Sequence, residues 1–518
     1  MTANHKIKGY LLFSSLYIVL FFPLAFWGLD WEDLGFHLSN QSIVYQSGFS
    51  EFLGNRLVFL TDLLISPLAY FSSYIICIRF FFLTLNLLVC SMIYYQFGLI
   101  GLQGMRRIAV SLLLAAIILY PKQYGLLIQP DYFSFPIIFG FFYYFLVINA
   151  KNSKFSVWRT IFLTLFSSLK ATNIISLPLL IFYYYPFRMK NKFFKEAIVS
   201  SLVVVLIQLI VLNMGSVDSG FEGGESAYLI KSLQRYVIEL VLLSILGIAC
   251  GFFIKLLTRR NFYESSSLLI AFLYFAFSFL EFFIPSPVVV SLNNLKSSSA
   301  ILLFGYFVFL IFKSTSLSKS FILFLLILPI THWFGTLAGL YKLNYGLYFV
   351  GVFGLAELNK KISYKKFDWF VLIALVTCIF RMYFLTVDKV SPFDFSMVKT
   401  ETKAKYLFTT KLRRDSLESL NVLLSDFVES GSILVAPSFP LIYYLYEVKP
   451  PLGITWIDLH SEQKLKKFLS SICSQDHFVL LSKIEPPKLR TRNAAVLCKP
   501  EKIFDDSFWE LYKFTLKI

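Results

Sequence analysis

Runs of apolar residues, each about the length of a bilayer crossing and separated by short basic clusters, repeat along most of this chain. The first covers residues 10–27. Further runs cover 73–95, 108–120, 132–149, 197–214, 237–254, 266–284, 300–312, 321–334, 343–358 and 369–385. A spanning helix prefers ~20 apolar residues, and shorter runs are tolerated where protein surrounds them. Residues 161–185 are apolar with basic clusters on both sides. A single crossing there puts one cluster outside, whereas two short crossings turning near Lys170 keep both inside, so the hairpin is the expected form. The pattern then predicts a polytopic α-helical membrane protein of about 13 transmembrane helices, N-terminus inside and C-terminus outside.

The pattern changes near residue 388. Residues 1–387 form the expected transmembrane domain, with a first outer loop at 28–71, and residues 388–518 form a second domain of mixed charge. In that tail, 405–427 has helical periodicity and 432–436 reads as a short buried strand. A turn and helix follow at 437–446. Strand candidates at 454–457 and 478–481 flank a helix at 462–474. This alternation predicts a small α/β domain with a partly parallel sheet.

Composition supports the membrane reading: of 518 residues, 57% are hydrophobic and 19% aromatic, and mean hydropathy is +0.68. The net charge of +17 does not point to nucleic acid, because the basic residues sit between apolar runs in the positive-inside manner. Lys6 and Lys8 precede the first run and no small-residue cleavage site follows it, so an uncleaved first helix is expected. The six cysteines are sparse. Cys77, Cys90, Cys250 and Cys378 fall in apolar runs and read as packing residues. Cys473 and Cys498 fall in the tail, where an oxidising compartment would let them pair or leave them apart.

Candidate chemistry begins at the outer mouth of the first run. Asp30, Glu32 and Asp33 place three carboxylates within four positions, and His37 follows. Charged groups at a membrane boundary are costly to desolvate and ask for a reason. One reading is general-base catalysis by Asp33, with Glu32 beside it; the other is an acidic turn holding the helix at headgroup level. The length of the loop favours the first. Its second half, 49–70, has an amphipathic pattern interrupted by Gly54, Arg56, Asp62 and Pro67, as in an interfacial helix presenting a lipid-linked substrate. Basic residues expected near the outer rim are Arg79, Lys122, Lys170, Arg235, Lys296, Lys342 and Arg381, each a phosphate ligand or a snorkelling anchor. His332 and Tyr345 flank a late outer turn and are candidates for sugar or phosphate contact. The histidines are scattered, with no metal-ligand spacing, so no metal or other cofactor is expected; a divalent ion shared by Asp33 and Asp131 is the alternative.

Position and order of these residues resemble the GT-C type membrane glycosyltransferases, among them the protein O-mannosyltransferases and aminoarabinose transferases. The likeness rests on Glu32 and Asp33 after the first helix, the Ser66-Pro67 step in the interfacial stretch, Arg79 and Asn86 in the second helix, Asp131 where the fourth begins, and Lys170 in a broken fifth segment. Val435 to Pro437, Tyr443-Tyr444 and Pro450-Pro451 in the tail add to it. The order Glu-Asp replaces the Asp-Glu common among the O-mannosyltransferases, which leaves the base open between Asp33 and Glu32. The resemblance implies inverting transfer of a sugar from a polyprenyl-phosphate donor to a lipid, glycan or protein acceptor. It also implies the outer face of the cytoplasmic (inner) membrane, with the C-terminal domain extracytoplasmic. Asp30, His37, Arg79, Asp131, Lys170, His332 and Tyr345 are the expected substrate-binding residues. A glycan polymerase or ligase and a non-enzymatic transporter are the rival readings. The first is disfavoured by the modest outer loop at 215–233, the second by the absence of two matching halves.

Overall fold

The computed structural model describes residues 3–29, 31, 33–46, 59–99, 101–119, 155–169, 192–214, 364–384, 395–428, 432–448, 450–451, 472–473, 476–484, 486–487 and 500–514, with 139, 140, 142, 143, 146 and 234 singly. Helix α1 spans Ala3–Phe21 and tightens into a 3-10 turn over Phe22–Phe26, where Pro23 withholds the backbone donor that an α-helix would use. Together they supply an apolar stretch, Ile7–Phe26, long enough to cross a membrane. Gly28 follows with φ of 75°, a left-handed conformation that glycine adopts without strain.

Helix α2 covers Asp33–Gln46, α3 Phe59–Phe71, α4 Ile75–Leu99 and α5 Gly104–Leu119. The 25-residue α4 is the second helix able to span among the described residues. It runs antiparallel to α1. The Tyr17 hydroxyl donates to Leu83 O at 3.1 Å, Tyr10 to Ser91 at 3.0 Å, and the Phe22 and Phe80 rings lie 5.6 Å apart. Helix α5 then returns beside α4, with the Arg107 guanidinium 3.7 Å above the Tyr94 ring and bonded to the Tyr94 carbonyl.

Helix α6 covers Val157–Ser168, α7 Lys192–Met214 and α8 Tyr364–Phe384. The first turns of α6 and α7 are joined: Arg159 pairs with Glu196 at 2.7 Å, and Ser200 donates to the Thr160 carbonyl. The chain that leaves the far end of α6 therefore comes back to the level where α6 began. Helix α8 starts level with α5, through the Arg106–Asp368 ion pair at 2.7 Å, and ends level with α1, where the Tyr383 hydroxyl donates to Leu20 O. Helices α1 and α8 thus run in the same direction.

The C-terminal domain opens with a two-stranded antiparallel pair, β1 (Phe395–Met397) and β2 (Phe408–Thr410). Helix α9, Lys411–Phe427, begins at an N-cap in which Thr410 Oγ1 accepts from Arg413 N. Its buried positions 413, 416, 417, 420, 423 and 424 trace one helical stripe. Strand β3 (Ile433–Val435), the short helix α10 (Leu441–Leu445), β4 (His477–Ser482), β5 (Glu501–Asp505) and β6 (Trp509–Phe514) complete it. The sheet order is β3-β4-β6-β5; β3 lies parallel to β4, and the other pairs are antiparallel. Strand β4 is buried along its whole length, as a central strand should be. Asp506 closes the β5–β6 turn by accepting from the Phe508 and Trp509 amides.

The structure departs from the sequence reading at several points. The expected tail helix at 405–427 starts instead at Lys411, because 408–410 pair as β2 and Trp27 bridges to Phe408. Strands β1, β5 and β6 were not expected. The strand at 454–457 and nearly all of the helix at 462–474 lie outside the described residues, as do most runs between 120 and 363.

Candidate functional site

The backbone is pinned just before the carboxylates begin. Arg79, in the first turns of α4, is fully buried. Its Nη1 donates to Ala25 O at 3.0 Å and to Trp27 O at 2.9 Å, and its Nη2 to Gly28 O at 2.9 Å. The next carbonyl, Leu29 O, accepts from Arg413 Nη1 at 2.6 Å, and Arg413 belongs to α9 in the C-terminal domain. Two guanidinium groups from distant parts of the sequence thus hold the backbone of residues 25–29. Carbonyls that leave a helix end need partners when buried, and fixed planar donors fill that need with defined direction.

Trp31 anchors the segment from the other side. It is 0% exposed and lies against the Phe439 and Trp509 rings, at centroid distances of 4.6 and 5.8 Å. The Arg413 guanidinium sits 5.3 Å from its ring, within cation–π range. The Trp509 indole donates to Ser416 O, fixing that ring on α9. Gly28 N donates to Phe408 O at 2.8 Å, and Ile75 N donates to Lys403 O at 2.8 Å. The C-terminal domain therefore touches both ends of the first loop.

Asp33 is the first residue of α2 rather than part of an irregular loop. An acidic residue at this position complements the helix dipole. His37 lies four residues on, at a position on the same face, and is buried. Ser39, Asn40, Gln41 and Ser42 are buried as well, although all are polar. The reason is that α2 is enclosed by α3 and α10. The Tyr45 and Tyr70 rings stack at 4.6 Å, Ser39 Oγ donates to Pro440 O at 2.6 Å, and the Tyr444 hydroxyl donates to Ala69 O at 3.1 Å. Gly35 lets the two backbones touch: a Cβ there would lie 2.4 Å from Leu441 N.

Of the residues singled out in the sequence, Asp33 and His37 belong to α2, which packs on α10 of the C-terminal domain, and Arg79 holds the backbone that leads toward α2. Arg381 falls in the last turn of α8. Asp30, Glu32, Asp131, Lys170, His332 and Tyr345 lie outside the described residues, as do Lys122, Arg235, Lys296 and Lys342. No cluster of three or more metal-ligating side chains occurs among the described residues. Cys473 is disulfide-bonded, while Cys77, Cys90 and Cys378 are not in disulfides; Cys250 and Cys498 lie outside the described residues.

Trp31, Gly35, Arg413 and Trp509 were missed by the sequence reading. A tryptophan set between carboxylates, and an arginine pair opening an amphipathic helix, were the only local signals. Neither says what it touches across hundreds of residues. Neither a family model nor a curated protein matches this chain.

Proposed function

We propose that this chain is an integral-membrane glycosyltransferase of the GT-C type. It takes a sugar from a polyprenyl-phosphate donor and transfers it to a lipid, glycan or protein acceptor at the outer face of the cytoplasmic membrane. A carboxylate of the 30–33 segment, Asp33 or Glu32, removes the proton from the acceptor hydroxyl as that oxygen bonds to the anomeric carbon. The bond to the phosphate oxygen breaks on the opposite face, polyprenyl phosphate leaves with the electron pair, and the configuration inverts. No cofactor is required by this scheme.

The observation that carries the reading is that Arg79 and Arg413 hold the backbone that leads into this carboxylate-rich segment. Catalysis by positioned groups needs a fixed backbone, and an acidic anchor at headgroup level does not. The parallel course of α1 and α8 adds support: if both cross the bilayer, the number of crossings from first to last is odd, and the C-terminal domain stands on the side of the acidic segment. The return of the chain to the start of α6 agrees with a hairpin between the two basic clusters. The Cys473 disulfide fits an oxidising compartment for the tail. Arg79, with its bonds to the 25–28 backbone, serves in this scheme as a holder of the segment.

The test is turnover of polyprenyl-phosphate-linked sugars by the purified full chain in lipid nanodiscs, read as release of polyprenyl phosphate. Asp33→Asn and Glu32→Gln are compared. Loss of the base lowers the rate by ~10² to 10⁴ while the donor still binds. Wild-type rates in both variants, or no turnover by the wild type across a panel of such donors, would reject the reading.

A further inference from the structure

Arg413 occupies an unfavourable place for a cation. It lies in the first turn of α9, which contains no acidic residue, and it is only 7% exposed. The helix dipole opposes a positive charge at that end, and burial adds a desolvation cost. Thr410 already caps the helix, so its N-terminus does not need Arg413. The Arg413 guanidinium reaches the first loop. It donates to Leu29 O at 2.6 Å, and it faces the Trp31 ring at 5.3 Å. The carboxylate-bearing positions 30, 32 and 33 begin at the very next residue.

We infer that Arg413 is a positioning residue for those carboxylates, so that the acidic site is incomplete without the C-terminal domain. The inference rests on the transferase reading for its kinetic consequence, though not for its structural one. Arg79 fixes the backbone up to Gly28 from within the helical region. Arg413 fixes the following carbonyl and faces the ring of Trp31, which lies in sequence between Asp30 and Glu32. A displacement near 1 Å at a reacting group lowers turnover by ~10²-fold. The C-terminal domain therefore acts as one wall of the site, and at the carboxylates' end it meets the first loop through the Arg413 guanidinium and an aromatic stack of Trp31, Phe439 and Trp509.

The experiment uses the full chain in nanodiscs, with Arg413→Ala and Arg413→Lys beside wild type. Amide hydrogen exchange is followed in residues 28–46 and, separately, in β4 and β6, and turnover is measured with the same polyprenyl-phosphate-linked sugars. The expected result for Arg413→Ala is faster exchange confined to 28–46, kcat lower by ~10²-fold and donor KM changed by less than about threefold. The lysine variant, which keeps the charge and one donor, recovers part of kcat and of the protection. Unchanged exchange in 28–46 overturns the proposal. So does a rise spread equally over 28–46 and the sheet, which marks a residue needed only for folding, and so does a wild-type kcat in Arg413→Ala. If the wild type itself turns over no donor, the transferase reading falls, and the exchange pattern alone decides whether Arg413 holds the loop.

Discussion

Two buried arginine systems in this protein do different things with the same chemistry. Arg159 on α6 meets a carboxylate, Glu196 on α7: its Nε lies within 3.2 Å of both oxygens, and Ser156 N adds a further bond to the same group. The pair is locked into two helix starts, and its consequence is helix register. Arg79 and Arg413 donate to peptide carbonyls between Ala25 and Leu29, and what those bonds fix is the course of an irregular segment. The contrast separates stability from geometry. A helix pair needs its charges matched, whereas a site needs its backbone held still.

The sharpest way to break this contrast is to remove one member of the first system. Arg159→Ala leaves the fully buried Glu196 carboxylate uncompensated, so unfolding stability should fall by ~3–5 kcal/mol. Replacing both residues by leucine should restore most of that loss, since a buried ion pair is often no better than a packed apolar one. Denaturant titration in mild detergent measures both. Specific activity per folded molecule should be untouched; a fall in it would place α6 and α7 within the site.

Gly35→Ala attacks the seam around the second system. The added methyl meets backbone atoms of Leu441 at 2.4–2.7 Å, and backbone cannot swing aside as a side chain does. Separation of α2 from α10 should cost ~1–3 kcal/mol and lower turnover more than stability. A variant as stable and as active as wild type would show that this contact is slack.

The smallest effect is expected from alkali. Burial raises the phenols of Tyr443, Tyr444 and Tyr446 above the ordinary tyrosine value; for Tyr444 the neighbouring Cys77 and Glu447 add to the rise, while Lys403 lies over its ring. A folded-state value above the unfolded one gives stability that is complete below about pH 10 and is lost as pH rises beyond it. Tryptophan emission should therefore shift to the red above about pH 10 as the seam holding Trp31 and Trp509 loosens. In Tyr444→Phe, which loses the bond to Ala69 O, the seam should be weaker by ~1 kcal/mol near neutral pH. Emission unchanged into strong alkali would mean that the tyrosines do not hold the seam.

What could be read from the sequence divides along physical lines. Helices α1, α4, α5 and α8 coincide closely with apolar runs at 10–27, 73–95, 108–120 and 369–385, because hydropathy in a long window reports a local property. Strands β3 and β4 coincide with short β-branched and leucine-rich runs at 432–436 and 478–481 for the same reason. Helix α2 was invisible because most of its buried residues among those described are polar, His37 and Ser39 to Ser42 beside Leu38, and they form no apolar stripe. Strand β5 was invisible because it is an exposed edge with three charged residues in five. At the candidate site, the carboxylates could be found from their position beside a membrane-length run. The partners of that segment could not, since a hydrogen bond from Arg413 to Leu29 leaves no trace in the spacing of either neighbourhood.

The separation of 384 positions from Leu29 to Arg413 also sets a schedule. At ~5–20 residues per second, synthesis takes roughly 20–80 s to reach the arginine after the loop has been made. Trp509 arrives later still. For that whole interval Leu29 lacks its bond from Arg413 and Trp31 lacks its ring contacts with Phe439 and Trp509. Residues made late thus complete the setting of residues made early, and this part of the fold cannot take its final form until they have been synthesised.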